Sequence, residues 1–224
     1  MDFDFSPALI SLKITIVSTM IVFILGLYTA WLMSHYNGPR KALIDGILTL
    51  PLVLPPTVVG FVLLFLIGKN GPLGVLLETL DIKIIFSWYA GILSSVIVSF
   101  PLMYRTTRGT FEQINSNLLD TAKDLGANNI QTFWKIVVPI SWPGIAAGTA
   151  LAFARSLGEF GATLMVVGNI PGKTQTIPIA IYFATQRGDM KTAGLWVFVI
   201  CIFSLISTVL FNNYKTPNSN IERN

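Results

Sequence analysis

Apolar residues in this chain come in long runs, separated by short stretches of Pro, Gly, Asn and charged residues. Runs over about 7–33, 43–67, 84–104, 137–157 and 194–211 each reach or approach the roughly 20 residues that a helix needs to cross a bilayer. Hydrocarbon offers no water to satisfy free N–H and C=O groups, and a β-barrel would alternate polar and apolar residues in segments of about 10, so each run is read as a helix. The pattern predicts an all-α membrane protein, a polytopic bundle of five spans forming a single domain over 1–224. Pro51, Pro55 and Pro56 remove backbone donors from the second run and predict a kinked or broken helix there.

The segment 158–184 is harder to place. Its apolar pieces, Phe160 to Val167 and Ile177 to Phe183, are each too short to span. The first is read as an extension of the fourth helix bent at Gly158 and Gly161, and the second as a re-entrant or interfacial helix starting near Pro178. The alternative is a sixth span.

Composition agrees with a membrane chain: 53% of residues are hydrophobic and only 12% are charged. The first run is too long for a signal peptide, follows acidic Asp2 and Asp4, and lacks a small-residue cleavage site, so it is expected to stay in the membrane. Arg40 and Lys41 in the first loop, and Arg105 and Arg108 after the third run, bias those segments toward the cytoplasm. The N-terminus is then outside and the tail, with Lys215 and Arg223, inside. Trp31, Trp88, Trp142 and Trp196 lie near span ends and read as interfacial anchors. Gly144 and Gly148 form a Gly-x-x-x-Gly step, suited either to a dimer contact or to packing inside one subunit. The polar tail 216–224 is expected to be disordered.

Candidate chemistry is sparse. Val166-Val-Gly-Asn-Ile-Pro-Gly-Lys-Thr174 ends like a phosphate-binding loop, but Gly168 stands one residue too close to Gly172, and Pro178 falls where the following helix would make its first turn. Pro171-Gly172 suffices as a turn. One histidine, His35, and one cysteine, Cys201, do not supply a zinc site or a nucleophile pair, and Cys201 reads as a small apolar residue. Intramembrane carboxylate pairs of the proton-coupled kind are missing: Asp45 lies near a helix end, and Glu159 has Arg155 one turn before it. The chain reads as unable to energise transport alone, with no catalytic, metal or cofactor site of its own and no feature for nucleic acid.

The polar loop 105–135 then gains weight. Leu118, Leu119, Ala122 and Leu125 share a helical face, and Gly126 stands where a left-handed residue ends a helix. Asn128 or Asn129 is placed to cap a second short helix carrying Ile130, Phe133 and Trp134. Packing of that apolar face on its own bundle is the plainer alternative.

Here the chain resembles the permease subunits of bacterial ABC importers, whose loop reads Glu-Ala-Ala, three residues, Gly, nine residues, Ile, one residue, Leu-Pro. The matching residues are Asp120, Thr121, Ala122, Gly126, Ile136, Val138 and Pro139, with every spacing kept and three conservative departures: Asp for Glu, Thr for Ala and Val for Leu. The resemblance implies a type I importer permease fold with a coupling helix between the third and fourth spans, gripped by two cytoplasmic ABC ATPase subunits that use ATP and Mg. Thr49 to Gly60, Gly158 to Thr163 and Gly168 to Tyr182 are further similar to the molybdate permeases of that group. That implies a homodimer in a bacterial cytoplasmic membrane, taking molybdate, and with it tungstate, from an external binding protein. Sulfate and thiosulfate permeases share much of the pattern and rank second; a self-contained secondary carrier or channel is a distant third.

A dianion is costly in hydrocarbon, so its route must be lined by water, donors or positive charge. The candidates are Thr57 and Gly60 beside the broken second span, and Ser156, Gly158 and Gly161 on the fourth. Arg155 is the one candidate anion attractor. Its competing role is an i,i+4 partner to Glu159 that fixes the bend.

Overall fold

A computed structural model describes residues 4–212 of the chain; the tail 216–224, and with it Lys215 and Arg223, lies outside the described residues. Those residues form helices and turns with no strand among them. In order they are α1 (Ser6–His35), α2 (Lys41–Val53), α3 (Pro56–Ile67), α4 (Pro72–Thr79), α5 (Trp88–Glu112), α6 (Ser116–Asp124), α7 (Asn129–Thr132), a π-helical turn (Phe133–Val137), α8 (Val138–Leu157), α9 (Gly161–Val167), α10 (Ile177–Gln186) and α11 (Met190–Asn212).

Among the described residues, three stretches are long and apolar enough to cross a membrane: α1, Asn129–Leu157 and Met190–Leu210; the pair α2 and α3, bent by 109°, makes up to four. That number stops one short of the five expected from the apolar runs. The remaining run is α5, whose 25 residues extend about 37 Å at 1.5 Å per residue. It is the least apolar of the long helices, and Ser94, Ser95 and Ser99 on it are buried. The reason is position. α5 lies against α1 and α8 in the centre of the bundle, so protein surrounds it and lipid does not select its side chains.

Small residues allow the central helices to approach. The buried face of α1 runs Ser11, Thr15, Ser18, Val22, Gly26, Ala30, Met33, at helical spacing. A Cβ on Gly26 would lie 2.6 Å from Met103 Cγ on α5. On α8, a Cβ on Gly148 would lie 3.1 Å from Met103 Sδ, and one on Gly144 would collide with the Thr110 side chain. The Gly144/Gly148 step therefore packs on α5 within the subunit.

The second predicted span is broken outright. Pro51 sits inside α2 and removes one donor from it, α2 stops at Val53 with Leu54 extended, and Pro56 opens α3 at its first turn. α3 then turns to pack on α9. A Cβ on Gly60 would come within 2.8 Å of both Ala162 Cα and Met165 Cβ.

Two expectations change here. Phe160 to Val167 does not extend the fourth helix; α8 stops at Leu157 and α9 is a separate helix starting at Gly161. Trp196 is no interfacial anchor: only 3% exposed, it packs with Ile177 and Ala180. The second short element, expected near Pro178, is α10. Its first N–H, Ile177, donates to Ser11 Oγ of α1 at 2.8 Å.

Candidate functional site

The segment between α5 and α8 is a capped helical hairpin. Asn115 opens α6 by accepting from Asn117 N at 2.9 Å. At the other end Gly126 has φ +82°, Gly126 N donates to Lys123 O at 2.8 Å and Ala127 N to Ala122 O at 2.9 Å. These two bonds are the Schellman pair that satisfies the last carbonyls of a helix. Asn128 then caps α7: its side chain accepts from Gln131 N at 2.8 Å, while Gln131 Oε1 accepts from Asn128 N at 3.0 Å.

The apolar stripe on α6 divides. Ala122 is buried and Leu119 packs on the main core. Leu118, 42% exposed, and Leu125, 84% exposed, face outward, as do Ile130 at 71% and Trp134 at 58%. The inward half is the plainer alternative realised; the outward half leaves four large apolar residues uncovered, among Asp120, Thr121, Lys123 and Asp124, which are all exposed. Exposed apolar residues gathered on a polar element mark a contact surface. Of the remaining motif positions, Ile136 is half-buried and Pro139 exposed.

Behind the hairpin a π-helical turn joins it to α8. Val138 N donates to Phe133 O, and Pro139 has no N–H to restore the usual spacing. Phe133 lies 4.9 Å from Trp31 of α1 and 6.2 Å from Phe111 of α5, ring centroid to centroid. Trp31 is thus part of a packed aromatic cluster, beyond the anchoring role expected of it. Beside it Arg108 of α5 bonds Asp45 of α2, donates to Tyr104 Oη at 2.9 Å and to Glu112 Oε1 at 3.0 Å, and Lys41 Nζ stands 3.5 Å from Glu112. Sequence reading missed this network. Its trace was the i, i+4, i+8 spacing of Tyr104, Arg108 and Glu112 on one face.

The candidate route residues gather around the break between α8 and α9. Arg155 Nη1 lies 2.6 Å from Glu159 Oε2, with the Glu159 side chain 1% exposed and that of Arg155 30% exposed. Glu159 Oε1 accepts from Ala162 N at 2.8 Å, satisfying a free donor at the start of α9. One carboxylate therefore holds both sides of the break, and Arg155 takes the pairing role. Ser156 is buried, Gly158 and Thr57 are exposed, and Gly161 packs near Pro56 and Thr57. Gly60 is buried in the α3–α9 contact, a packing position and not an open wall.

The Gly168–Thr174 loop is a closed turn. Lys173, Thr174 and Gln175 all direct their N–H groups at Ile170 O, between 3.0 and 3.3 Å. Thr174, 1% exposed, donates to Val167 O at 3.1 Å. Those amides face inward and do not form a phosphate cradle.

The helical layout matches solved importers. A bacterial ABC transporter importing the acidic polysaccharide alginate superposes with TM-score 0.73 at 16% identity, over 94% of this chain and 79% of that one. The methionine ABC transporter in an inward-facing form gives 0.71 at 14% identity, over 92% of each. The fold is that of an ABC importer permease. The chain belongs to the family of binding-protein-dependent transport system inner membrane components, which matches residues 22–215. Among named relatives, the molybdenum transport system permease of Haemophilus influenzae is 43% identical over 92% of this chain and 91% of its own. That of Escherichia coli K12 is 42% identical over 93% and 92%. The sulfate transport system permease of Salmonella typhimurium is 33% identical over 91% of this chain and 75% of its own length.

Proposed function

We propose that this chain is the permease of an ATP-driven importer that takes up molybdate, and tungstate with it. The observation that carries the reading is identity above 40% to two molybdenum permeases across more than nine-tenths of both chains. Two copies of the chain form the pore, an external binding protein delivers the oxyanion, and two cytoplasmic ATPases that use ATP and Mg drive it. The N-terminus is outside and the C-terminus in the cytoplasm, which puts the α6–α7 hairpin on the ATPase side. Leu118, Leu125, Ile130 and Trp134 are the contact that fits an ATPase groove.

Substrate affinity resides in the binding protein. Tight binding in the pore would oppose release, and this chain offers few intramembrane cations for a dianion. The permease contributes a weak, wet route along the exposed Thr57 and Gly158.

Uptake of radiolabelled molybdate into vesicles tests this. Vesicles with the chain alone should take up nothing, with or without an ion gradient; adding the ATPase, the binding protein and ATP should start uptake that excess tungstate blocks and excess sulfate does not. Block by sulfate would move the assignment to the sulfate importers. Uptake by the chain alone would make it a secondary carrier.

A further inference from the structure

Four helices, α1, α5, α8 and α9, and Thr176 at the entry to α10 meet around a small cavity beside the α8–α9 break. Ser95 Oγ, Ser156 Oγ, Glu159 Oε2 and Thr176 Oγ1 are all buried there without a hydrogen-bond partner. Their residues are 1%, 4%, 3% and 4% exposed. Arg155 Nη1 approaches Glu159 Oε2 at 2.6 Å as an ion pair, but outside hydrogen-bonding geometry, so that oxygen still accepts. Three buried hydroxyls without a hydrogen bond, beside a carboxylate oxygen held only by an ion pair, are rare at one point of a folded protein and call for an explanation.

Size, charge and bonding capacity all select the same guest. The cavity volume is about 10 Å³, the room of a single water. The carboxylate is already neutralised by Arg155, so a cation would leave a net positive charge buried with little solvent. Three hydroxyls and one carboxylate oxygen offer donors and acceptors that a water's two donors and two acceptors match one for one.

We propose that Ser95, Ser156, Glu159 and Thr176 form a specific internal water site. The water ties the end of α8 and the start of α9 to α5 and α10, and so fixes the break on which Arg155 and Glu159 stand. Ser95 is on α5, Ser156 on α8, Glu159 in the α8–α9 break and Thr176 just before α10, so none of them alone marks the site in the sequence.

A structure of the assembled importer, at a resolution that shows ordered solvent, tests this directly. A peak is expected at about 2.6–3.2 Å from at least three of the four oxygens, and it should persist when sodium is replaced by a bulky organic cation. Stability gives a second readout. Thr176→Val keeps the shape and removes one partner of the water, so the melting midpoint should fall by about 2–4 °C. Ser95→Val, which fills the cavity and expels the water, should lower it further. A cavity without density, or a midpoint that rises in either variant because a dry cavity lost an unpaired hydroxyl, would overturn the proposal. A peak that vanishes with sodium would overturn it in favour of an ion.

Discussion

At Gly126, φ is +82° and a Cβ built there meets nothing within 4 Å, so a substitution tests backbone conformation without any clash. A β-branched residue in that left-handed region costs about 1–2 kcal/mol or more, which would open the Schellman end of α6. Gly126→Val should therefore abolish ATP-driven uptake while membrane insertion stays intact, and Gly126→Asn, which tolerates the left-handed region, should keep most of it. Equal uptake from both variants and the parent would remove the hairpin from the coupling role. Glu159 offers a second single-residue test. Glu159→Gln keeps an acceptor for Ala162 N–H, whereas Glu159→Ala strands both that donor and Arg155. The alanine variant should be the less stable by about 1–3 kcal/mol, read as a lower melting midpoint in detergent.

At the scale of elements, close approach depends on missing side chains. Gly60→Leu would force α3 away from the backbone of Ala162, a rigid neighbour, at a cost of about 1–3 kcal/mol or more. The yield of folded, monodisperse protein should drop sharply, while Thr57→Leu, at an exposed neighbouring position, should fold normally. The π-helical turn makes a different prediction. Phe133 joins the hairpin to Trp31 of α1 and Phe111 of α5. In the proposed importer, Phe133→Ala should leave ATP hydrolysis running while transport per ATP falls several-fold; hydrolysis and uptake falling in proportion would mean that the cluster has only a stabilising role.

For the molecule as a whole, the proposed assembly predicts that uptake needs the complete set of partners. Cysteine crosslinks placed at Leu125 should reach the ATPase subunit and no external protein. A label that reaches Leu125 only from the outside would reverse the orientation and with it the coupling assignment. Much of this organisation was legible in advance. Long apolar runs identify α1, α8 and α11 because lipid imposes their composition, and the spacing from Asp120 to Pro139 marks a hairpin whose caps, Gly126 and Asn128, are local chemistry. α5 was less legible: a helix buried among other helices keeps its serines, and its hydropathy falls. Gly60 reads as a wall of the route until α9 is seen packed on it. The Lys41–Asp45–Arg108–Glu112 network and the hydroxyl cluster at Ser95 join positions far apart in the chain, and no local pattern carries such pairings.

The sequence by itself determined that the chain is helical and membrane-embedded, where its caps and breaks fall, and to which kind of permease it is similar, because hydrophobicity, proline and glycine act over a few residues. Only the tertiary structure decided which face each helix turns inward, that Gly60 of α3 packs on Ala162 of α9, and that Arg108 of α5 pairs with Asp45 of α2. Those outcomes depend on contacts between helices distant in sequence, where burial and hydrogen-bond satisfaction are settled by which surfaces meet.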